Sequence, residues 1–538
     1  MTERVTPRFS LPISYLLCIL VSTLSACSST LSSVSTPTPE QADAQVAATS
    51  ASRPTATPLR STSTFTPRPT TTPQPTPTIT ATPTPPPLPE ECLKQKFIED
   101  IEVCHEVPQY DVDLAVRLES PQVTGSQQIT YTNAEDVPLD HLYLRLFPNS
   151  RGYGGTMTMT HVLLNGESVT PQFELQNTAA RIPLETALDP GEVVTLSMDF
   201  TVGVPTSGVS GYALFSYLRG VMALPTVYPI IPVYDDQGWD VEHAPDHSDD
   251  LHTDIARYRV RISAPADLTL MASGTCTKPE PGRWVCQAAP MRDFTLILGE
   301  DYERAARKVE GVVVNSYFYP GHAEGGGRAL QVAVDAMSVF SELFGPYPYT
   351  ELDVVETPNR LGGMEYSGLV VVEDGLYTEG SVEWLTAHEV AHQWWMVVVG
   401  NDQVDEPWLD EALTQYSTML YYEKVYGKDR ARAILQQEFE SSYQSVLKQG
   451  RDMPAGLPSD TYPPDLYWKI VYDKGALYFH ALREAVGDEA FFEILQTYYQ
   501  RHRYDIATPE MFLDAIETVT GDQHGDIYEK WIGGNATR

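Results

Sequence analysis

The stretch TAHEVAHQWW, residues 386–395, sets His388 and His392 four positions apart with Glu389 beside the first. If residues 382–395 form a helix, His388 and His392 differ by about 40° around its axis and about 6 Å along it, so both imidazoles project from one face and can reach one ion. A zinc ion bound for catalysis takes three protein ligands and keeps a fourth position open. A third ligand is available further along, where DEPWLDEALTQYSTMLYYEKVYG reads as a second helix with Pro407 in its first turn and Gly427 as its terminator. Two such helices packed side by side with a short connection aim Glu411 at the same ion. The bland alternative is a helix with two unrelated histidines, but it leaves a well-placed glutamate base and a carboxylate on a second helix unexplained. Asp410, next to Glu411, faces another way on a helix and reads as a capping or supporting group.

These parts need a scaffold to hold them, and the rest of the chain must supply it. With 538 residues, 42% of them hydrophobic, the chain can form two or three domains with sizeable cores. Its 72 acidic against 36 basic residues give a formal charge of −36, which repels polyanions and excludes nucleic acid and anionic headgroups as partners.

The N-terminal region reads as an address. Arg4 and Arg8 precede an apolar run from Leu11 to about Leu24, the form of a secretory signal rather than a permanent span. Leu24-Ser25-Ala26-Cys27 resembles the lipobox of bacterial lipoproteins. That likeness implies a signal peptide over 1–26, lipid on Cys27, and a mature chain tethered to the outer face of a bacterial cell membrane. Residues 27–91 are mostly Ser, Thr, Pro and Ala and hold almost nothing to bury, so they read as a disordered stalk. Extended at about 3.1 Å per residue, such a stalk holds a folded body on the order of 150 Å from the membrane.

Beyond the stalk the periodicity is two. YDVDLAVRL, HLYLRLF and YRVRIS alternate apolar and polar residues between clusters of turn formers, which predicts a β-sandwich-like domain over 92–300. Cys18 goes with the signal and Cys27 with lipid, leaving Cys92, Cys104, Cys276 and Cys286. Outside the cytoplasm these read as two local disulfides, Cys92 with Cys104 and Cys276 with Cys286, although four cysteines allow three connectivities and a thiolate metal site is the rival. After about Asp301 helical spacing takes over: GGGRALQVAVDAMSVFSELFG is a helix ending at Gly345, ELDVVETP and GLVVVEDG are short strands, and helices dominate from Val382 onward. DVEHAPDHSDDLHTD, with His243, His247 and His252 among carboxylates, reads as a solvated acidic loop rather than a second metal site.

HEVAHQWW followed by WLDEALTQY resembles the signature of the aminopeptidase N family of zinc metallopeptidases, among the gluzincins. GGMEY, from Gly362 to Tyr366, resembles the family's G-x-M-E-N exopeptidase motif, and YDKGA, beginning at Tyr472, resembles the motif that carries its catalytic tyrosine. The likeness runs from about Tyr110 to the end; YPIIPVYDDQGW and FGPYPYTELDVVE are similar to family segments without being diagnostic. It implies an α+β, thermolysin-like and mainly helical catalytic domain over 301–538, holding one zinc ion on His388, His392 and Glu411. Glu389 would then be the general base and Tyr472 the donor to the oxyanion. Gly362, Gly363, Met364 and Glu365 would receive the substrate, a peptide with a free N-terminus whose ammonium group pairs with Glu365.

Tyr366 departs from the pattern, standing where the family has asparagine, and puts the contacts at that position in question. The chain ends at Arg538, soon after the helices that follow Tyr472, so a more open cleft is expected than in large relatives. The strand SGLVVVEDG is expected to offer its edge to the substrate backbone. Two rival functions share parts of this constellation: a thermolysin-type endopeptidase, which has no use for GGMEY, and a non-catalytic surface binding protein, which has no use for Glu389 and Tyr472.

Overall fold

Strict alternation builds the first half of the folded body. In strand Gln109–Arg117 the residues Tyr110, Val112, Leu114 and Val116 are buried while their neighbours are half-buried or exposed, and Gln122–Thr132 and Val193–Gly203 follow the same habit over most of their length. The computed structural model describes residues 92–105, 107–208 and 211–533. These strands belong to an eight-stranded sheet in the order Thr275–Glu280, Arg283–Met291, Ala256–Ser263, Gln109–Arg117, Gln122–Thr132, Val193–Gly203, Thr156–Leu164, Glu167–Ser168. Its pairs are antiparallel except for Gln109–Arg117 with Ala256–Ser263. A three-stranded sheet around Ala179–Leu188 and a four-stranded sheet around Leu296–Gly299 complete a β-rich region, and their buried residues join the same apolar core.

Within this region Cys276 and Cys286 face each other across neighbouring strands and form the expected disulfide, with Cα atoms 4.1 Å apart. The signal peptide, the stalk and Cys27 lie outside the described residues, as does the side chain of Cys104, so the pairing of Cys92 with Cys104 stays an expectation.

The second half is a mixed five-stranded sheet followed by a helical domain. The sheet order is Glu303–Val309, Val312–Phe318, Glu351–Thr357, Leu369–Glu373, Gly363–Tyr366. Helix α1, Ala323–Leu343, buries Ala329, Ala333, Ala336, Met337 and Phe340 at helical spacing and packs against this sheet. Three further helices frame the site: α2, Asp374–Glu379; α3, Val382–Ala391; and α4, Trp408–Tyr426. Helix α3 lies against α1 and α4 and touches strand Gly363–Tyr366.

Two local expectations are corrected. The helix read as reaching Trp395 ends at Ala391, because the following tryptophans are drawn to different partners: Trp394 Nε1 donates to Gly345 O and Trp395 Nε1 to Ser417 Oγ, and the chain reverses at Met396 with φ of 112°. His392 at the C-cap keeps helical angles, φ −59° and ψ −19°, so the four-residue spacing survives. The strand expected to offer its edge, Leu369–Glu373, is paired on both sides; the free edge belongs to Gly363–Tyr366, which carries Glu365.

Candidate active site

Helices α3 and α4 bring three donors together. His392 Nε2 lies 3.2 Å from His388 Nε2, and Glu411 Oε2 lies 3.5 Å from His388 Nε2 and 3.3 Å from His392 Nε2. A tetrahedral ion about 2.0–2.1 Å from each donor requires donor–donor edges of roughly 3.4 Å, so the triangle has the size of a zinc site. The local chemistry agrees. His392 is 1% exposed and Glu411 3%, and Glu411 Oε2 has no regular hydrogen-bond donor among the described residues, which is costly for a buried carboxylate oxygen unless a cation faces it. His392 Nδ1 lies 3.1 Å from Trp395 O; donating its proton there leaves the Nε2 lone pair free for a metal. The described residues thus fit zinc.

Glu389 is held beside the triangle by the edge strand. A Cβ on Gly363 would fall 2.0 Å from Glu389 Oε1, so only glycine lets the carboxylate lie there. Gly362 precedes it with φ of 110°, a left-handed conformation that other residues adopt at a cost. Glu389 Oε2 is buried without a hydrogen-bond partner among the described residues. Burial, then repulsion from Glu365, pushes its pKa well above the ordinary carboxylate range, the direction suited to a group that takes up and releases a proton near neutral pH.

Tyr472 sits on a widened helical turn, Trp468–Lys474, that runs into helix Gly475–Val486. Its ring lies nearly parallel to that of His388 at a centroid distance of 6.0 Å. Burial and the Glu411 carboxylate drive its phenol pKa far up, so it remains a proton-bearing donor. Glu365 is 3% exposed and has a carboxylate oxygen within 4.8 Å of ligand atoms on His392 and Asp410. Met364 and Tyr366 line the same cavity, whose volume is about 360 Å³.

Sequence reading missed two contributors. Gln403, between α3 and α4, donates from Nε2 to Glu365 Oε1 at 3.3 Å and to Asp410 Oδ2 at 3.0 Å, while its Oε1 accepts the Leu251 N–H at 3.2 Å. Asp410 also accepts the Glu411 N–H at 2.7 Å, which makes it the supporting group its position suggested. The second contributor is the loop 243–252, and here the expectation of a solvated acidic loop is overturned. His243 to Leu251 line the cavity. His252 is buried with Nδ1 2.7 Å from Asp240 Oδ2, and His247 and Ser248 reach Ser459 O and the Tyr467 hydroxyl across the site. The cleft expected to be open is therefore bounded on one side by this loop. Asp250 of this loop pairs with Arg145 inside the fold, while Asp246 lies at the exposed rim opposite Arg151.

Residues 328–531 match the peptidase family M1 domain, a span that contains the triangle, Glu365, Glu389 and Tyr472. This catalytic stretch is similar to peptidase family M1. Among its relatives, aminopeptidase M1-B of Oryza sativa subsp. japonica is 27% identical over 236 residues, 41% of this chain and 27% of the relative. Aminopeptidase N of Lactococcus lactis subsp. lactis is 26% identical over 278 residues, 47% of this chain and 32% of the relative. The matched stretch thus spans about a third or less of the length of these relatives. The fold of the chain is that of the M1 zinc metallopeptidase from Deinococcus radiodurans, with a TM-score of 0.59 and 21% identity over 80% of this chain and 94% of that one. A mutant of that enzyme bound to a Tyr-Ser-Ala substrate matches with a TM-score of 0.58 and 21% identity, over 80% of this chain and 95% of that one.

Proposed function

We propose that this chain is a zinc-dependent aminopeptidase of peptidase family M1 that hydrolyses the first peptide bond of peptides with a free N-terminus, using one zinc ion held by His388, His392 and Glu411. The observation that carries the reading is the position of Glu365: a buried carboxylate on a free strand edge, beside the metal ligands and the Glu389 base. When bound, zinc supplies Lewis-acid polarisation of the scissile carbonyl and of the attacking water. Glu389 takes the proton from that water and hands it to the departing amine. Tyr472 donates a hydrogen bond to the oxygen on which negative charge develops. Glu365 pairs with the substrate's α-ammonium group; an acylated end would leave that carboxylate desolvated and unpaired, so blocked peptides are rejected. The edge strand Gly363–Tyr366 offers backbone groups to the extended substrate.

The test is a panel of aminoacyl and N-acetylaminoacyl chromogenic substrates assayed with and without a chelator. The reading expects chelator-sensitive turnover confined to free amines. Comparable cleavage of acetylated substrates would instead indicate the endopeptidase. A second test concerns the tyrosine: Tyr472→Phe should lower kcat on the order of 100-fold with little change in KM, since an oxyanion donor acts in the transition state. Unchanged kcat would remove Tyr472 from the mechanism.

We also propose that the chain works outside the cytoplasm, tethered through lipid on Cys27. The Cys276–Cys286 disulfide supports an oxidising compartment. Cys27→Ala should shift the protein from the membrane to the soluble fraction of expressing cells, and continued membrane association would count against the anchor.

A further inference from the structure

We infer that Trp468 is a positioning residue whose indole face aims the Tyr472 hydroxyl at the carbonyl oxygen under attack; this rests on the aminopeptidase reading above, which gives Tyr472 its role as donor. Such a donor is effective only when its proton points to where negative charge will form, and a misplacement of about 1 Å costs on the order of 100-fold in rate. A phenol can lose its aim in two ways: the backbone beneath it shifts, or the ring swings about its side-chain bonds. The backbone of the turn Trp468–Lys474 is held at its far end. Gln415 Nε2, on α4 one turn after Glu411, donates to Asp473 Oδ1 at 3.1 Å, and Lys474 Nζ donates to Asp452 Oδ1 at 2.8 Å. Swinging of the ring has to be stopped by whatever packs against it.

Three rings do this. Tyr467 meets the phenol at 72° with centroids 5.9 Å apart, His388 lies nearly parallel to it at 6.0 Å, and Trp468 lies over it at 4.1 Å with 33° between the planes. The indole is the closest of the three and covers the face of the phenol rather than its edge. The other two walls are fixed by their own partners: His388 belongs to the donor triangle, and the buried Tyr467 has its hydroxyl 2.9 Å from Ser248 Oγ and its ring steeply inclined to that of His247. Trp468 stands four positions before Tyr472, a spacing that puts both rings on one side of the turn. A tryptophan serving the core alone is fully enclosed, as Trp394, Trp395 and Trp408 are at 0–1% exposed. Trp468 is only half-buried, and its remaining surface lines the cavity beside Tyr472. An aliphatic side chain in its place gives up the face contact of an aromatic pair and opens room on that side, so the phenol is free to turn out of line.

The test is a double-mutant cycle with Trp468→Leu and Tyr472→Phe, alone and together, in zinc-loaded protein assayed on an aminoacyl p-nitroanilide with a free amine. Trp468→Leu should lower kcat on the order of 10-fold with KM changed less than about twofold. Trp468→Phe, which keeps an aromatic face, should restore most of the loss. In the Tyr472→Phe background the leucine substitution should cost less than about twofold more, because the hydroxyl it aims is gone. Calorimetric binding of a phosphinic dipeptide, whose phosphinyl oxygen stands in for the oxyanion, should weaken with Trp468→Leu by the same factor as kcat falls. Trp468→Met gives the same readouts should the leucine variant not fold. Losses that multiply in the double variant would overturn the inference and make Trp468 a packing residue. A rise in KM that persists without the hydroxyl would overturn it in favour of direct contact with the substrate. Wild-type protein without chelator-sensitive turnover would defeat the aminopeptidase reading and this inference with it, whereas wild-type turnover beside multiplying losses defeats only this inference.

Discussion

Glu389→Gln protein should keep its zinc and its fold and lose turnover by on the order of 10³- to 10⁴-fold in kcat. Glutamine preserves the volume of the side chain for which Gly363, lacking a Cβ, leaves room, so the substitution removes the proton acceptor and little else. General acid–base catalysis by a positioned side chain contributes typically about 10²- to 10⁴-fold. The upper end is expected because this carboxylate serves both proton transfers, from the attacking water and to the departing amine. The loss should fall on kcat and kcat/KM alike, with KM little changed, because the proton moves only on the way to the transition state. Steady-state kinetics beside metal analysis of the same sample checks this. Normal turnover would reassign the base; loss of zinc together with activity would show that Glu389 acts as a ligand.

The other large effect concerns the ligands. Removing His392 takes away one corner of a triangle whose edges are 3.2, 3.3 and 3.5 Å and leaves Glu411 in a buried position with one histidine fewer. Zinc at 1,000 times its dissociation constant stabilises a native protein that alone binds it by about 4 kcal/mol. Wild-type protein should therefore show a clear zinc-dependent rise in Tm. His392→Ala should show almost none and retain no stoichiometric zinc after dialysis. Thermal melts with and without added zinc make the comparison. A variant whose Tm rises with zinc as much as the wild type would place the ion elsewhere.

Much of this site was legible because the decisive relations are short-range. His388 and His392 are related by one turn of helix, a relation that survives even though α3 ends at Ala391 and leaves His392 at its cap. Pro407 and Gly427 bracket α4 as their backbone preferences dictate, and an α-helix beginning there carries Glu411 inward. Cys276 and Cys286 sit on adjacent strands of one hairpin. What escaped the sequence depends on contacts between distant segments. Nothing local reveals that Leu369–Glu373 is sandwiched between two strands while Gly363–Tyr366 lies at the edge, since strand order is settled by packing of the whole sheet. The loop 243–252 has the composition of a solvated turn, and residues far away in the chain hold it against the fold: Arg145 through Asp250, Gln403 through the Leu251 backbone and Tyr467 through Ser248. Gln403 carries no signal at all in its own neighbourhood; its importance comes from joining Leu251, Glu365 and Asp410.

The shared dependence of every step on one ion makes metal occupancy the most direct test. Crystals of purified protein should be measured on both sides of the zinc absorption edge, and an anomalous difference map calculated. The account predicts one strong peak per chain, within about 2.0–2.2 Å of His388 Nε2, His392 Nε2 and a Glu411 oxygen. Catalytically active protein that shows no peak there, or a peak bound by other side chains, would contradict it.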